Sequence, residues 1–283
     1  MINNSEINLE TLGFVSLPGN DFRDNEDAIG FANNAVWVLD GATSVSNTSN
    51  NPTDGFVFTH AINRHLSNLL KEQIILPEAL AQAILLTNQE LEYPWINSKG
   101  YELPSAAGIL IQLVDTQLEY LVFGDCNLVL TMPNQKTLRI TDPALNKFDN
   151  KSIEMVKQTL QQHPQLSLGE ARKLNLSILR EHRSKANQID GYNVITPHGF
   201  GVNPIHGYLD VVAGTRILLT SDGYSRIEDL FHYQDLKNIR TVNELQNLAH
   251  KLREFETNDF QGAKYPRLKV SDDATAILLS INN

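Results

Sequence analysis

Apolar, strand-like stretches recur along this chain, and four of them carry a carboxylate at one end. AVWVLDGATS (35–44) carries Ala35 through Leu39 into Asp40-Gly41. RILLTSDGYS (216–225) ends at Asp222-Gly223, and LEYLVFGDCN (118–127) at Gly124-Asp125. SDDATAILLSI (271–281) inverts the order, with Asp272 and Asp273 ahead of the apolar run. Short runs of this kind, rich in β-branched and aromatic residues, predict strands covered on both faces.

Further strands are expected over LGFVSL (12–17) and DAIGFA (27–32). Asn33-Asn34, between DAIGFA and AVWVLD, reads as a tight hairpin turn because Asn tolerates positive φ. TSVSNTSNNPTDG (43–55) is a polar loop. Apolar residues at helical spacing then predict helices over 55–74 and 76–91, the second with Pro77 near its start. Residues 104–115 and 117–125 read as a hairpin, followed by strands at 127–132 and 137–141. Between about 150 and 187 the pattern predicts two charged, more exposed helices, SIEMVKQTLQQH and SLGEARKLNLSILREHRSKA. Strands at 190–196 and 214–222, a helix at 242–256 and a final strand at 271–281 complete the chain. Helices in pairs between groups of closely joined strands imply an antiparallel sheet with helices outside. The expectation is one α+β domain over 1–283, with 142–190 as an inserted flap.

A chain of 283 residues has ample length for a core, and 41% hydrophobic with 20% charged residues is a globular balance. The net charge of −10 argues against nucleic-acid and anionic-membrane partners. The single Cys126 cannot form an intrachain disulfide, which fits a reducing compartment. MINNSEINLE lacks the pattern of a signal peptide, and no apolar run is long enough to span a bilayer. A cytoplasmic protein is expected.

If the strands with acidic tips lie side by side, the tips converge, and crowded carboxylates raise one another's pKa. A divalent cation resolves the conflict, since Mg²⁺ and Mn²⁺ prefer hard oxygen ligands. A glycine next to the aspartate lets the backbone approach closely. Asp-Gly is also a common turn dipeptide, so any one pair alone reads as a turn. Four together point toward a metal site, but spacing does not name the reaction.

NEDAIGF (25–31), VWVLDGATS (36–44), FGDCNLVL (123–130), LLTSDGYSR (218–226) and SDDATAILLSI (271–281) form an ordered set. In order and spacing they resemble the metal-dependent protein phosphatases of the PPM (type 2C) family, along almost the whole chain. The DGAT form of the second motif looks like the compact bacterial members, where eukaryotic enzymes usually carry DGHG. The resemblance implies a four-layer α-β-β-α sandwich of two antiparallel sheets flanked by helix pairs. It implies hydrolysis of phosphoserine and phosphothreonine in proteins with two, or three, Mn²⁺ or Mg²⁺ ions. Asp40 would bridge two ions, and Asp222 and Asp272 would complete the first. Glu26 and the Gly41 carbonyl would serve the second, and Asp125 a third, weaker ion. Asp27 would hydrogen-bond metal-bound water. Two cations about 4 Å apart lower the pKa of bridging water and stabilise charge on phosphoryl oxygens. No protein nucleophile is then needed, and Cys126 is expected in the core.

One element of the family pattern is displaced. The phosphate-binding arginine of an R-x-x-x-E-D arrangement would fall at position 22, where this chain has Phe22, and Arg23 comes one residue late. In an extended segment such a shift turns a side chain to the opposite face. A bulge could restore Arg23, or an arginine of the 142–190 flap could serve, but Arg226, just after the SDG turn, is the best-placed substitute on sequence. Asp273 replaces the asparagine common in the family and is expected to orient Asp272 or cap the turn. His60 and His65 read as structural helix residues and Trp37 as core. His198 and His206 are candidate proton donors, against the plainer reading of surface-loop histidines. The expected partners are a phosphoprotein and a Ser/Thr kinase acting on the same substrate. Two alternatives stand beside this reading, a catalytically weak or inactive regulatory module of the same fold and a hydrolase of small phosphate esters.

Overall fold

The apolar runs form two five-stranded sheets in a computed structural model that describes residues 7–20, 22–46, 52–72, 74–201 and 203–283. Residues 1–6 and 47–51, which belong to the N-terminal stretch and the expected polar loop, lie outside the described residues. One sheet runs in the order β2 (Ala28–Ala32), β3 (Ala35–Ala42), β4 (Ser105–Val114), β5 (Gln117–Phe123) and β8 (Ile205–Asp210). The other runs β1 (Asn8–Leu17), β10 (Ala274–Asn282), β9 (Arg216–Thr220), β6 (Asn127–Thr131) and β7 (Thr137–Ile140). All these strand pairings are antiparallel. Asn33 takes the left-handed conformation, φ 45°, in the expected turn between β2 and β3.

Three apolar layers explain why the strands lack polar alternation. Trp37 and Leu39 face outward and pack under α1 (Asp54–Leu69) and α2 (Leu76–Glu90), against Phe58, Ile62 and Leu80. Val36 and Val38 face the other way and meet Leu128, Ile217 and Ile277 between the sheets. Val129, Leu218 and Leu278 cover the far side of the second sheet beneath α6 (Asp222–Asp229) and α7 (Val242–Asn258). Successive strand residues point to opposite faces, and in the central strands β3, β4, β6, β9 and β10 both faces are buried. Each leucine or valine moved from water into these layers contributes about 1.5–3 kcal/mol, so the sandwich is a rigid frame for whatever its strand ends carry. The result is the expected four-layer α-β-β-α arrangement. Trp37 is fully buried, with Nε1 donating to Asn63 Oδ1 at 2.7 Å, and Cys126 is buried in the inter-sheet core.

The segment over 142–190 departs from expectation in its details. Three helices form where two were predicted, α3 (Asn146–Gln162), α4 (Leu168–Leu174) and α5 (Leu176–Arg183). The break falls at Asn175, whose amide donates to the Ala171 carbonyl and to Thr159 Oγ1, both at 2.8 Å. That side chain competes with the backbone for helical acceptors, which favours a break over continuation. Val156, Leu168 and Ala171 form a small core of their own. The strand predicted over 190–196 is replaced by isolated bridges, Ala106 with Ile195 and Ala186 with Tyr192. Asn187 curls this stretch, its Oδ1 accepting from the Val194 amide at 3.0 Å. Strand β8, which the sequence pattern did not predict, forms the edge of the first sheet. Among the described residues no helix is long and apolar enough to cross a membrane.

Candidate metal centre

Antiparallel pairing brings the acidic tips to one end of the sandwich. Asp40 follows Val36 and Val38 in strand parity, so it faces the side of the other sheet. β9 ends where β10 begins, and the Ser221 amide donates to the Thr275 carbonyl at 2.9 Å, which sets Asp222 beside Asp272 and Asp273. Asp125 sits in the β5–β6 connection after Gly124, whose φ of +60° makes a true turn. The other two glycines serve a different purpose. A Cβ on Gly41 would lie 2.4 Å from the Glu26 carbonyl oxygen, and one on Gly223 would lie 1.9 Å from that of Asp273. Neither has a left-handed φ, so both Asp-Gly pairs mark close backbone approach rather than turns.

Asp40, Gly41, Asp125, Asp222 and Asp272 line one cleft of about 740 Å³, joined by Asp149 from α3. Burial, then the charges of Asp27, Asp222, Asp272 and Asp125, push the Asp40 carboxyl well above the usual range. Burial and Asp222 do the same to Asp125. Asp149 is raised to about 6, by burial first and then Asp222. Asp272 behaves oppositely. Burial works against its charge, but Lys269 at 2.6 Å from Oδ1 and Arg226 at 2.7 Å from Oδ2 lower it to about 2.

Glu26 and Asp27 stand behind this wall rather than in it. The Glu26 carboxylate accepts from the Thr43 amide at 3.0 Å and from the hydroxyls of Thr43 and Thr53, which tie it to the loop before α1. Asp27 is 3% exposed, and the nearby hydroxyls of Thr275 and Ser221 are the groups that favour its charged form. Burial and the charge of Asp273 raise its pKa. Asp273 itself accepts from the amides of Gly19 and Glu26, both at 2.7 Å, and so pins the segment that carries Glu26 and Asp27.

The donor set is all oxygen, and a divalent cation would relieve the crowding of these carboxylates. Among the described residues, no three acidic, histidine or cysteine side chains as placed are close enough together to enclose a cation. Asp272 is held by two cationic side chains and Glu26 by two threonines, so drawing a metal in means exchanging those partners.

Arg23 is exposed and does not line the cleft. Arg226 does line it, bonded to Asp272, 3.4 Å from Glu256 Oε1 and 3.9 Å from Asp222 Oδ2. His60 and His65 lie on α1, bonded to the Asn25 carbonyl and to Glu90. Neither His198 nor His206 lines the cleft. His198 Nε2 sits 3.3 Å from the Trp95 carbonyl, and His206 Nε2 sits 2.9 Å from the buried Glu119. The sequence carried no specific signal for Asp149, Arg172 or Arg183, which reach the cleft from the helical segment read as exposed. Lys269 had one usable sign, its position three residues before Asp272.

Comparison with known proteins agrees with this architecture. The chain is similar in fold to the serine/threonine phosphatase PstP/Ppp of Mycobacterium tuberculosis, at 18% identity and TM-score 0.57, covering 98% of this chain and 100% of that one. A structure described as the catalytic domain of the serine/threonine protein phosphatase PstP with two manganese ions gives 18% identity, TM-score 0.58 and the same coverage. Stp1 of Staphylococcus aureus, a serine/threonine phosphatase, gives 15% identity and TM-score 0.54, with 96% and 94% covered. Comparison with curated protein sequences finds no match. The family model described as protein phosphatase 2C matches residues 23–255, and the chain therefore belongs to the protein phosphatase 2C family.

Proposed function

We propose that this protein hydrolyses phosphoserine and phosphothreonine in proteins, with two Mn²⁺ or Mg²⁺ ions held in the acidic cleft. The observation that carries the reading is the crowding of Asp40, Asp125 and Asp222 around one cleft, with the Asp40 and Asp125 carboxyls forced well above their usual range. The fold it shares with a phosphatase described with two manganese ions supports it. Asp40, Asp222 and Asp272 would hold the first ion. Asp40, Glu26 and the Gly41 carbonyl would hold the second, and Asp125 a third, weaker one. When bound, such ions supply positive charge that activates water near neutral pH and offsets charge on the phosphoryl oxygens.

The chain's own residues do the rest. Asp27, buried beside Asp40, orients a water. Lys269 and Arg226 keep Asp272 ionised, so no proton has to leave before it can act as a ligand. Gly41 and Gly223 let the backbone of Glu26 and Asp273 pack against the strand tips. Arg23, exposed ahead of Glu26, serves in docking the phosphoprotein. The counterpart in the cell is a Ser/Thr kinase that acts on the same substrate.

The test is phosphate release from phosphoserine and phosphothreonine peptides by metal-stripped protein, with and without added Mn²⁺. Activity is expected only with the metal, and full turnover in excess EDTA would exclude the mechanism. Faster turnover of small metabolite esters than of phosphopeptides would reassign the protein as a small-ester hydrolase. Metal binding without turnover of either class would make it a regulatory module.

A further inference from the structure

The displaced arginine leaves the substrate's phosphoryl group without an obvious partner, and the cleft wall suggests one. Arg139, Arg183, Arg226, Arg267 and Lys269 all line the cleft, and all are engaged. Arg139 is bound to Asn127 and Asp229, Arg183 to Ser105, Arg226 and Lys269 to Asp272, and Arg267 to Asp259. Arg172, near the end of α4, is the exception. Among the described residues no hydrogen bond or ion pair reaches its guanidinium, and its Nε is buried without a partner. Its strongest charged influences are Asp272, which favours its charge, and Arg183 and Arg23, which oppose it.

Arg172 is half-buried and an arginine stays protonated at any working pH, so a guanidinium whose Nε is shielded from water and which has no acceptor, near the like charges of Arg183 and Arg23, is left underused. A ligand that brings negative charge and several acceptors would engage it. A phosphoryl group fits best, because the planar fork of arginine matches two of its oxygens at once. Asp40, Asp125 and Asp222 line the same cleft, so an anion held by Arg172 would lie between the helical segment and the acidic strand tips.

We infer that Arg172 binds the phosphoryl group of the substrate, in the role that the one-residue shift of Arg23 leaves open. The inference rests on the reading of the cleft as a phosphoester-hydrolysing site. It places a substrate-binding residue on the segment over 142–190 and makes that segment a wall of the site. Arg226 remains the residue that orients Asp272.

The test is binding rather than turnover, so that its failure can be told from failure of the enzymatic reading. A non-hydrolysable phosphonate analogue of a phosphoserine peptide is titrated calorimetrically into the Mn²⁺-supplemented full-length protein, alongside the unphosphorylated peptide. The wild type should bind only the phosphonate. Arg172→Ala should weaken that binding at least about tenfold, the scale of a lost charge-assisted hydrogen bond, and Arg172→Lys should fall between. Inorganic phosphate should compete in the wild type and lose potency to the same extent in Arg172→Ala. Because Arg172 has no partner to lose, the Tm of both variants should equal or exceed that of the wild type. If the analogue binds Arg172→Ala as tightly as wild type, or fails to bind wild type, the assignment is wrong. Arg172-dependent binding without any phosphatase turnover would uphold Arg172 as the phosphoryl-binding residue and overturn only the enzymatic reading.

Discussion

Arg226 and Asp272 form an ion pair of 2.7 Å, and the same guanidinium reaches the fully buried Glu256 at 3.4 Å. One arginine thus fixes a proposed metal ligand and covers a carboxylate in the protein interior. Arg226→Ala should destabilise the fold by about 2–3 kcal/mol in chemical denaturation, below the usual cost of breaking a buried pair because Arg253 still holds Glu256 at 2.6 Å. Activity should fall through a higher Mn²⁺ requirement. Saturating metal should restore much of kcat, which a phosphate-binding role would not allow.

Asp40→Asn and Asp222→Asn should each lower kcat at least about a hundredfold, the scale of losing metal-activated water. Asp40→Asn should also raise the Tm of the protein in chelator, since Asp40 is crowded by four neighbouring aspartates. Asp125→Ala should weaken activity mainly at low metal concentration. Near-normal turnover by Asp40→Asn would remove it as the bridging ligand.

Asp149 supplies a pH dependence whose sign can be worked out. Its carboxyl is raised to about 6 from an unfolded value of 3.8, so the folded chain holds this proton more tightly than the unfolded chain. Stability of the metal-free protein should therefore fall as pH rises from about 4 to about 6, then level off as far as this group is concerned. Asp149→Asn should flatten that decline, measured as Tm against pH in chelator. A decline of the same slope in the variant would assign it to Asp40, Asp125, Asp27 or Asp273, which are also raised.

Asp273 accepts two backbone amides, one with each oxygen. Asp273→Asn keeps one acceptor and turns the other into a donor facing an N–H group. The expected cost is about 1 kcal/mol, near the net worth of one hydrogen bond, because the contact is only part-buried. The Mn²⁺ concentration giving half-maximal activity should rise as well, because the released amide belongs to Glu26. A fold as stable as wild type would mean that Gly19 and Glu26 are held by other contacts.

The sandwich was legible in the sequence because its signals are local. Unbroken apolar runs such as 35–39 and 276–279 mark strands buried on both faces, and α1, α2 and α7 show their helical spacing directly. The acidic tips at Asp40, Asp125, Asp222 and Asp272 could be read for the same reason, each being the end of such a run. Other features had no local signal. Asn175 splits a helix by capturing Thr159, sixteen positions away, and the stretch after Asn187 curls instead of pairing. Short-range pattern cannot register bonds that depend on where the chain returns.

The same limit applies to the cations. Sequence set out which arginines exist and that position 22 is not one of them. It could not show that Arg226 is taken up by Asp272 and Glu256 while Arg172 is left unpaired. That distribution depends on distances between side chains far apart along the chain, which only packing of the helical segment against the strand ends decides.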